Sequence, residues 1–198
     1  MKIYDITQPL FECAVFPGDP RPEKREVRRM ERGDVCNLTA LSLCAHNGTH
    51  VDAPFHFYKD GKGVDGIELK KCVGPAYVAS HDGEVTAADA ETLLARARAA
   101  HPEAAKKLLL RGNAVMTTEG AEVLVREGID LIGVEPQSVG PEKAPMAVHL
   151  VLLKKEIVIL EGIRLKDVED GVYMLYCAPL NLTATDGAPC RAILTELA

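Results

Sequence analysis

No CxxC pair, no surplus of basic residues and no long apolar run occur in this sequence. The six cysteines, Cys13, Cys36, Cys44, Cys72, Cys177 and Cys190, are dispersed and read as reduced thiols, mostly small core residues. Lysine and arginine number 23 against 29 acidic residues, and the formal net charge of -6 argues against a nucleic-acid backbone as partner. No positively charged leader followed by an apolar run opens the chain, and no stretch approaches membrane-spanning length, so a cytoplasmic location away from membranes is expected. Repeats, low-complexity segments and a convincing linker are missing too. The 198 residues, 47% hydrophobic and 26% charged, are therefore expected to form one ordinary globular domain spanning 1–198.

What the sequence does have is a cluster. HNGTHVDAPFH, from His46 to His56, holds three of the 6 histidines and an aspartate. Imidazole and carboxylate are donors that zinc and similar divalent metals accept. Gly48 permits a sharp bend that brings His46 back towards His50. Ala53 precedes Pro54 and is pushed to an extended conformation, which argues against a helix here. With Thr49 to Ala53 extended, His50 and Asp52 point to one face, because strand side chains alternate. His56, beyond the proline, could be a fourth ligand or a proton-transfer group. Thr49 could orient a ligand through a hydrogen bond, or simply pack. Cys44, flanked by Leu43 and Ala45, could be a soft ligand, although burial is the simpler reading.

Along the chain, Lys2 to Ile6 reads as a short strand. Pro9, Pro17, Pro20 and Pro22 break the next segment into loop, where Phe16 could line a pocket or pack the loop down. Residues 24–30 and 36–43 alternate on either side of Gly33 and Asp34, which predicts a hairpin whose second strand feeds the histidine cluster. A strand over Pro75 to Ser80 precedes a helix from Ala87 to about Ala99. Thr86 is its N-cap, Asp89 stands three residues on, and Leu93, Leu94 and Ala97 share a face. Lys106 to Arg111 reads as a buried strand; Thr117 or Thr118 caps a second helix that Gly128 ends; IDLIGVE is the next strand. Such alternation predicts an α/β chain with a partly parallel sheet covered by helices.

A second informative region runs from Ala144 to Gly162. Pro145 suits a helix start, and Met146 to Leu153 is apolar on nearly every side, so this helix is expected to be buried. His149 in its middle is either a hydrogen-bonded core residue or a metal ligand. The strand that follows ends at Glu161, a buried carboxylate in need of a partner. That partner is a metal, or an arginine such as Arg164 or Arg191. Together, His149 and Glu161 are the complement a second metal would need.

The sequence resembles the cyclase-like family of metal-dependent hydrolases that includes bacterial kynurenine formamidase. HNGTHVDAPFH matches the family's H-x-G-T-H-x-D-x-P-x-H signature at every fixed position. The resemblance extends to FPGDP (16–20), IGVEPQSV (132–139), His149 with Glu161 twelve positions later, and DGAPCRAIL (186–194). It implies a swivelling β/β/α fold of the α+β kind, a mixed sheet forming a small barrel-like core with flanking helices, in a homodimer. By position, His46, His50 and Asp52 would hold a first metal, with Asp52 bridging. His149 and Glu161 would complete a second site, and His56 would be the acid/base. Zinc is the expected ion, with manganese an alternative and one or two ions bound. Formamidases of this type often set an aromatic residue, frequently Trp, against the substrate ring; this chain has 0 Trp, and Phe16 is the substrate-binding candidate.

The reaction these parts imply is hydrolysis of a C–N bond in a formamide or amide, with N-formylkynurenine first among small-molecule substrates. A divalent metal brings the pKa of bound water to about 7, and His56, with an ordinary pKa of about 6.5, would carry the proton to the leaving nitrogen. The alternative is hydrolysis of an isatin-type aromatic lactam, or a cyclase or dehydratase reaction, on the same scaffold. A structural metal site in a non-catalytic binding module is disfavoured, because such zinc sites are closed by four protein ligands that often include Cys.

Overall fold

The computed structural model describes residues 1–197. In chain order its elements are β1 (Ile3–Asp5), β2 (Glu23–Arg28), β3 (Leu38–Ser42), β4 (His50–Asp52), α1 (Leu69–Cys72), β5 (Val73–Ser80), β6 (Gly83–Val85), α2 (Ala87–Ala100), β7 (Lys107–Arg111), β8 (Ala114–Met116), α3 (Thr118–Arg126), β9 (Leu131–Val134), α4 (Met146–Leu153), β10 (Val158–Glu161), β11 (Gly171–Tyr176), β12 (Gly187–Pro189) and β13 (Ile193–Glu196). A mixed sheet of 9 strands, in the order β1-β13-β11-β5-β7-β9-β10-β4-β12, curls into a half-barrel. Its centre, β5-β7-β9-β10, is parallel and is wound through α2, α3 and α4, as the alternation predicts. Antiparallel strands flank that centre on both sides, and β1 pairs with β13, joining the two ends of the chain.

Both faces of the sheet are buried. The three longer helices cover one face, where Leu93, Leu94, Leu124 and Leu152 join Leu108, Leu110, Ile132 and Ile159 in one core. The other face is filled by Ile6, Val51, Val78, Leu109, Leu160 and Leu194. This is why KLLLR is a continuous apolar run: Leu108 and Leu110 face the helices while Leu109 faces away. Thr86 and Asp89 form the capping box of α2. Thr117, not Thr118, caps α3, accepting from the Gly120 N–H at 3.1 Å.

Three features differ from expectation. The expected hairpin of β2 and β3 forms, with a bulge between Glu26 and Arg28, but as a separate two-stranded sheet exposed along almost its whole length. The histidine cluster therefore hangs on β4, in the main sheet, and not on that hairpin. α4 is only half buried: Val148, His149, Leu152 and Leu153 face inward, whereas Met146 is 57% exposed. An all-apolar helix carries no pattern by which sequence could tell its covered side from its bare one. Finally, β11, β12 and β13 lie in a segment for which no strands were expected; β11 and β13 extend one flank of the sheet and β12 forms its other edge. Among the described residues, no helix is long and apolar enough to cross a membrane.

Candidate active site

Strand register builds the site. In β4, Val51 enters one core while His50 and Asp52 point to the opposite face. β10 runs antiparallel beside it with Glu161 directly opposite His50, so the two side chains share a face. α4 covers that face and delivers His149. On the far side of β4, β12 sets Gly187 opposite Asp52. A Cβ at Gly187 would stand 2.9 Å from the His46 ring, so glycine makes room for the imidazole. Gly48 provides the expected bend with φ 66, in the left-handed region glycine tolerates, and the His46 and His50 ring centroids come to 5.1 Å.

The five predicted ligands converge. His50 Nε2 lies 3.4 Å from Asp52 Oδ1 and 3.3 Å from Glu161 Oε2. His149 Nε2 lies 3.4 Å from Asp52 Oδ2 and 3.3 Å from Glu161 Oε1. His46 Nδ1 stands 2.9 Å from Asp52 Oδ1. All five residues are buried. The far nitrogens are fixed: His50 Nδ1 faces the Gly48 carbonyl at 3.0 Å and His149 Nδ1 the Pro145 carbonyl at 2.9 Å. Each Nδ1 is then the donor, so once its Nε2 gives up a proton each ring turns a lone pair towards carboxylate oxygens.

That arrangement fits a divalent cation. Two neutral imidazole lone pairs facing two carboxylates repel unless positive charge lies between them. Ligand atoms at 2.0–2.1 Å from a tetrahedral ion stand about 3.3–3.4 Å from one another, the spacing found here. His50 Nε2 and Asp52 Oδ2 are buried with no hydrogen-bond partner, a costly state for a site closed to cations. Fixing a ligand imidazole through its other N–H is also the usual supporting contact in metal sites. Electrostatics agree. Burial opposes charge on the imidazoles, yet the carboxylates outweigh it, raising His46 to about 11, His50 to about 9 and His149 to about 10. Burial likewise opposes the charged form of Asp52, but His149 and His46 hold its carboxyl well below 3.8. The pocket calls for positive charge, which protons supply in the chain alone.

Comparison with known proteins places the chain. The family described as "Putative cyclase" matches residues 4–141. A kynurenine formamidase of Bacillus cytotoxicus is 38% identical over 208 residues, covering 98% of this chain and 97% of that protein. The chain belongs to the cyclase family. A kynurenine formamidase of Erythrobacter litoralis is 32% identical, covering 99% of the chain and 94% of that protein. Among solved structures, one described as a potential metal-dependent hydrolase with cyclase activity superposes with a TM-score of 0.82 at 24% identity, covering 100% of this chain and 98% of that one. Isatin hydrolase A from Labrenzia aggregata, bound to benzyl benzoate, gives 0.82 at 22% identity, covering 100% and 94%. At those identities the structural likeness bears on the cyclase fold alone.

The rest of this cyclase-family site divides into residues the sequence placed and one it missed. His56 lies at the rim of the cluster, its ring centroid 4.0 Å from that of His46 and 5.9 Å from that of His149. Burial holds its imidazole below the ordinary 6.5, so it is neutral at pH 7. Asp186 was not singled out. Its Oδ2 sits 2.7 Å from His46 Nε2 and 3.5 Å from His56 Nδ1, reaching across 140 residues of sequence. His46 in turn holds the Asp186 carboxyl below 3.8. Only the DGAP segment hinted at it, and pairing of β12 with β4 is what delivers it. Thr49 does not touch a ligand side chain: its hydroxyl donates to the Gly162 carbonyl at 2.7 Å and accepts from the Gln8 N–H at 2.9 Å, tying β4 to the end of β10. Among the described residues, Cys44 belongs to none of the donor clusters. The arginine alternatives for Glu161 fall away, since Arg191 pairs with Asp5 and Arg164 bonds backbone carbonyls. Phe16 lines a cleft of about 510 Å³ with Asn113, Gln137 and Ser138.

Proposed function

We propose that this chain is a metal-dependent amide hydrolase that cleaves the C–N bond of an aryl formamide such as N-formylkynurenine. The observation that carries the reading is the buried His50–Asp52–His149–Glu161 quartet, whose Nε2 atoms and carboxylate oxygens face one another; similarity to kynurenine formamidases over nearly the whole chain supports the substrate. His46, His50 and Asp52 would hold one divalent ion, and His149 and Glu161 a second, with Asp52 shared; zinc suits these donors, and manganese is the alternative. When bound, a divalent cation here supplies Lewis acidity, bringing the pKa of water to about 7 and polarising a carbonyl oxygen.

The chain's own residues supply the rest. His56, neutral and at the rim, takes a proton from the attacking water and hands it to the leaving nitrogen. Water adds to the formyl carbon, the C–N bond breaks, and formate and an arylamine leave. Asp186 steadies the orientation of His46 and His56. Phe16 offers its ring to the aromatic part of the substrate, in a cleft within the roughly 300–1,000 Å³ range of small-molecule sites. With 0 Trp in the chain, Phe16 is a smaller wall than an indole, which keeps ring-opening of an aromatic lactam as the second substrate class.

The working unit in this reading is a homodimer of one domain, 1–198. A two-stranded sheet alone is marginal in water, and Leu38, Leu41 and Val35 of the exposed hairpin would be covered by a second copy. Six free thiols suit a reducing compartment such as the cytoplasm. The test is turnover of N-formylkynurenine and of isatin before and after chelation. The reading expects formamide cleavage that a chelator abolishes, and zinc or manganese restores, while the fold survives. Turnover of neither substrate, or turnover indifferent to the chelator, contradicts it.

A further inference from the structure

Three buried side-chain atoms among the described residues meet no hydrogen-bond partner: His50 Nε2, Asp52 Oδ2 and Ser138 Oγ. The first two face the cation site. Ser138 is explained by nothing above. Only 8% of the residue is exposed, and its neighbours on both sides are bound to the site. Gln137 Nε2 donates to the Gly48 carbonyl at 3.1 Å, and the Val139 N–H donates to Glu161 Oε1 at 2.6 Å. Ser138 is thereby held one peptide bond from the Glu161 carboxylate contact. It also lines the cleft that Phe16 bounds. Serine hydroxyls in turns ordinarily satisfy themselves on nearby backbone, and an unmatched one in such surroundings costs stability that a ligand oxygen would recover.

We propose that Ser138 is a substrate-positioning residue whose Oγ–H donates to the oxygen of the amide group, held between the Phe16 cleft and the Glu161 carboxylate. The inference rests on the amide-hydrolase reading for its substrate class and on the unpartnered hydroxyl for its location. The amide oxygen gains negative charge as water adds to the carbon and stays with that carbon when the C–N bond breaks, and a fixed donor aimed there counts most in the transition state.

The experiment compares metal-loaded wild type with Ser138→Ala in four readings: kcat and KM on an aryl formamide, affinity for benzamide as an unreactive aromatic amide, metal content, and Tm. The proposal expects kcat to fall about 10²–10³-fold and benzamide to bind roughly 2- to 10-fold more weakly, with metal content unchanged and Tm unchanged or higher. Kinetics and benzamide affinity within twofold of wild type overturn it. Loss of metal or an earlier Tm alongside lost activity makes Ser138 a structural hydroxyl and also overturns it. A wild type inert towards formamides and lactams that still binds benzamide through Ser138 contradicts the proposed function while supporting this contact.

Discussion

Around Asp52, the Nε2 atoms of His50 and His149 stand 3.3–3.4 Å from carboxylate oxygens, every group is buried, and each far nitrogen is pinned by a backbone carbonyl. Around Asp186 the picture is different. His46 approaches to 2.7 Å and His56 to 3.5 Å, and the Asp186 side chain is 43% exposed. One half of the site is closed, rigid and spaced for a cation in the middle. The other, with His46 joining the two, is more open to solvent and asymmetric in its contacts, although His46, His56 and Asp186 also stand close enough together to hold a cation. In the proposed function the same residue types are given two jobs, and what separates the jobs is the distance set by sheet register and the degree of burial.

The largest effect should come from the closed half. Asp52→Asn keeps the volume and removes the charge shared by three imidazoles, so we expect metal content and turnover to be lost together. A variant that keeps its metal, read by elemental analysis, would erase the distinction between the halves. His56→Ala strikes the open half: metal content should hold while kcat falls about 10²–10⁴-fold, the usual contribution of a general acid–base group. Asp186→Asn should cost about 10–100-fold, in the range of supporting contacts, and should shift the pH profile of turnover. An unchanged profile would leave Asp186 a bystander.

Acidity should pull the metal-free and metal-loaded proteins in opposite directions. His46, His50 and His149 are raised from 6.5 to about 11, 9 and 10 in the chain alone. Their contribution to stability is therefore complete below pH 6.5 and fades as pH climbs through those values. A cation displaces the same protons, so metal affinity should rise over the same interval. Denaturant titrations of both forms between pH 6 and 10, with unfolding midpoints that move apart as pH rises, would sharpen the comparison; parallel shifts would blunt it.

Much of the closed half was legible because its first members crowd into eleven residues, and the Gly48 bend and the extended backbone before Pro54 follow from local stereochemistry. His149 and Glu161 were readable as polar residues stranded in apolar elements. Asp186 was not, because a three-residue strand ending in Pro189 leaves little periodic signal, and its meaning depends on lying beside β4. Thr49 illustrates the same limit at one side chain: whether its hydroxyl meets an imidazole or Gly162 is decided by strand pairing. The parallel centre of the sheet announced itself through the KLLLR run and the capped helices. β11 did carry strand-forming residues in VYML, but its neighbour β5 is far away in sequence and β13 comes only after β12, and only pairing with them makes it part of the sheet.

The claim on which this account stands is that the quartet around Asp52 encloses a divalent cation. Anomalous diffraction at the zinc edge, from crystals of the protein grown with zinc, tests it directly. The account predicts a peak between His50, His149, Asp52 and Glu161, with a second reached by His46 across Asp52. Peaks only at surface carboxylates, with the quartet empty at full zinc, would contradict it.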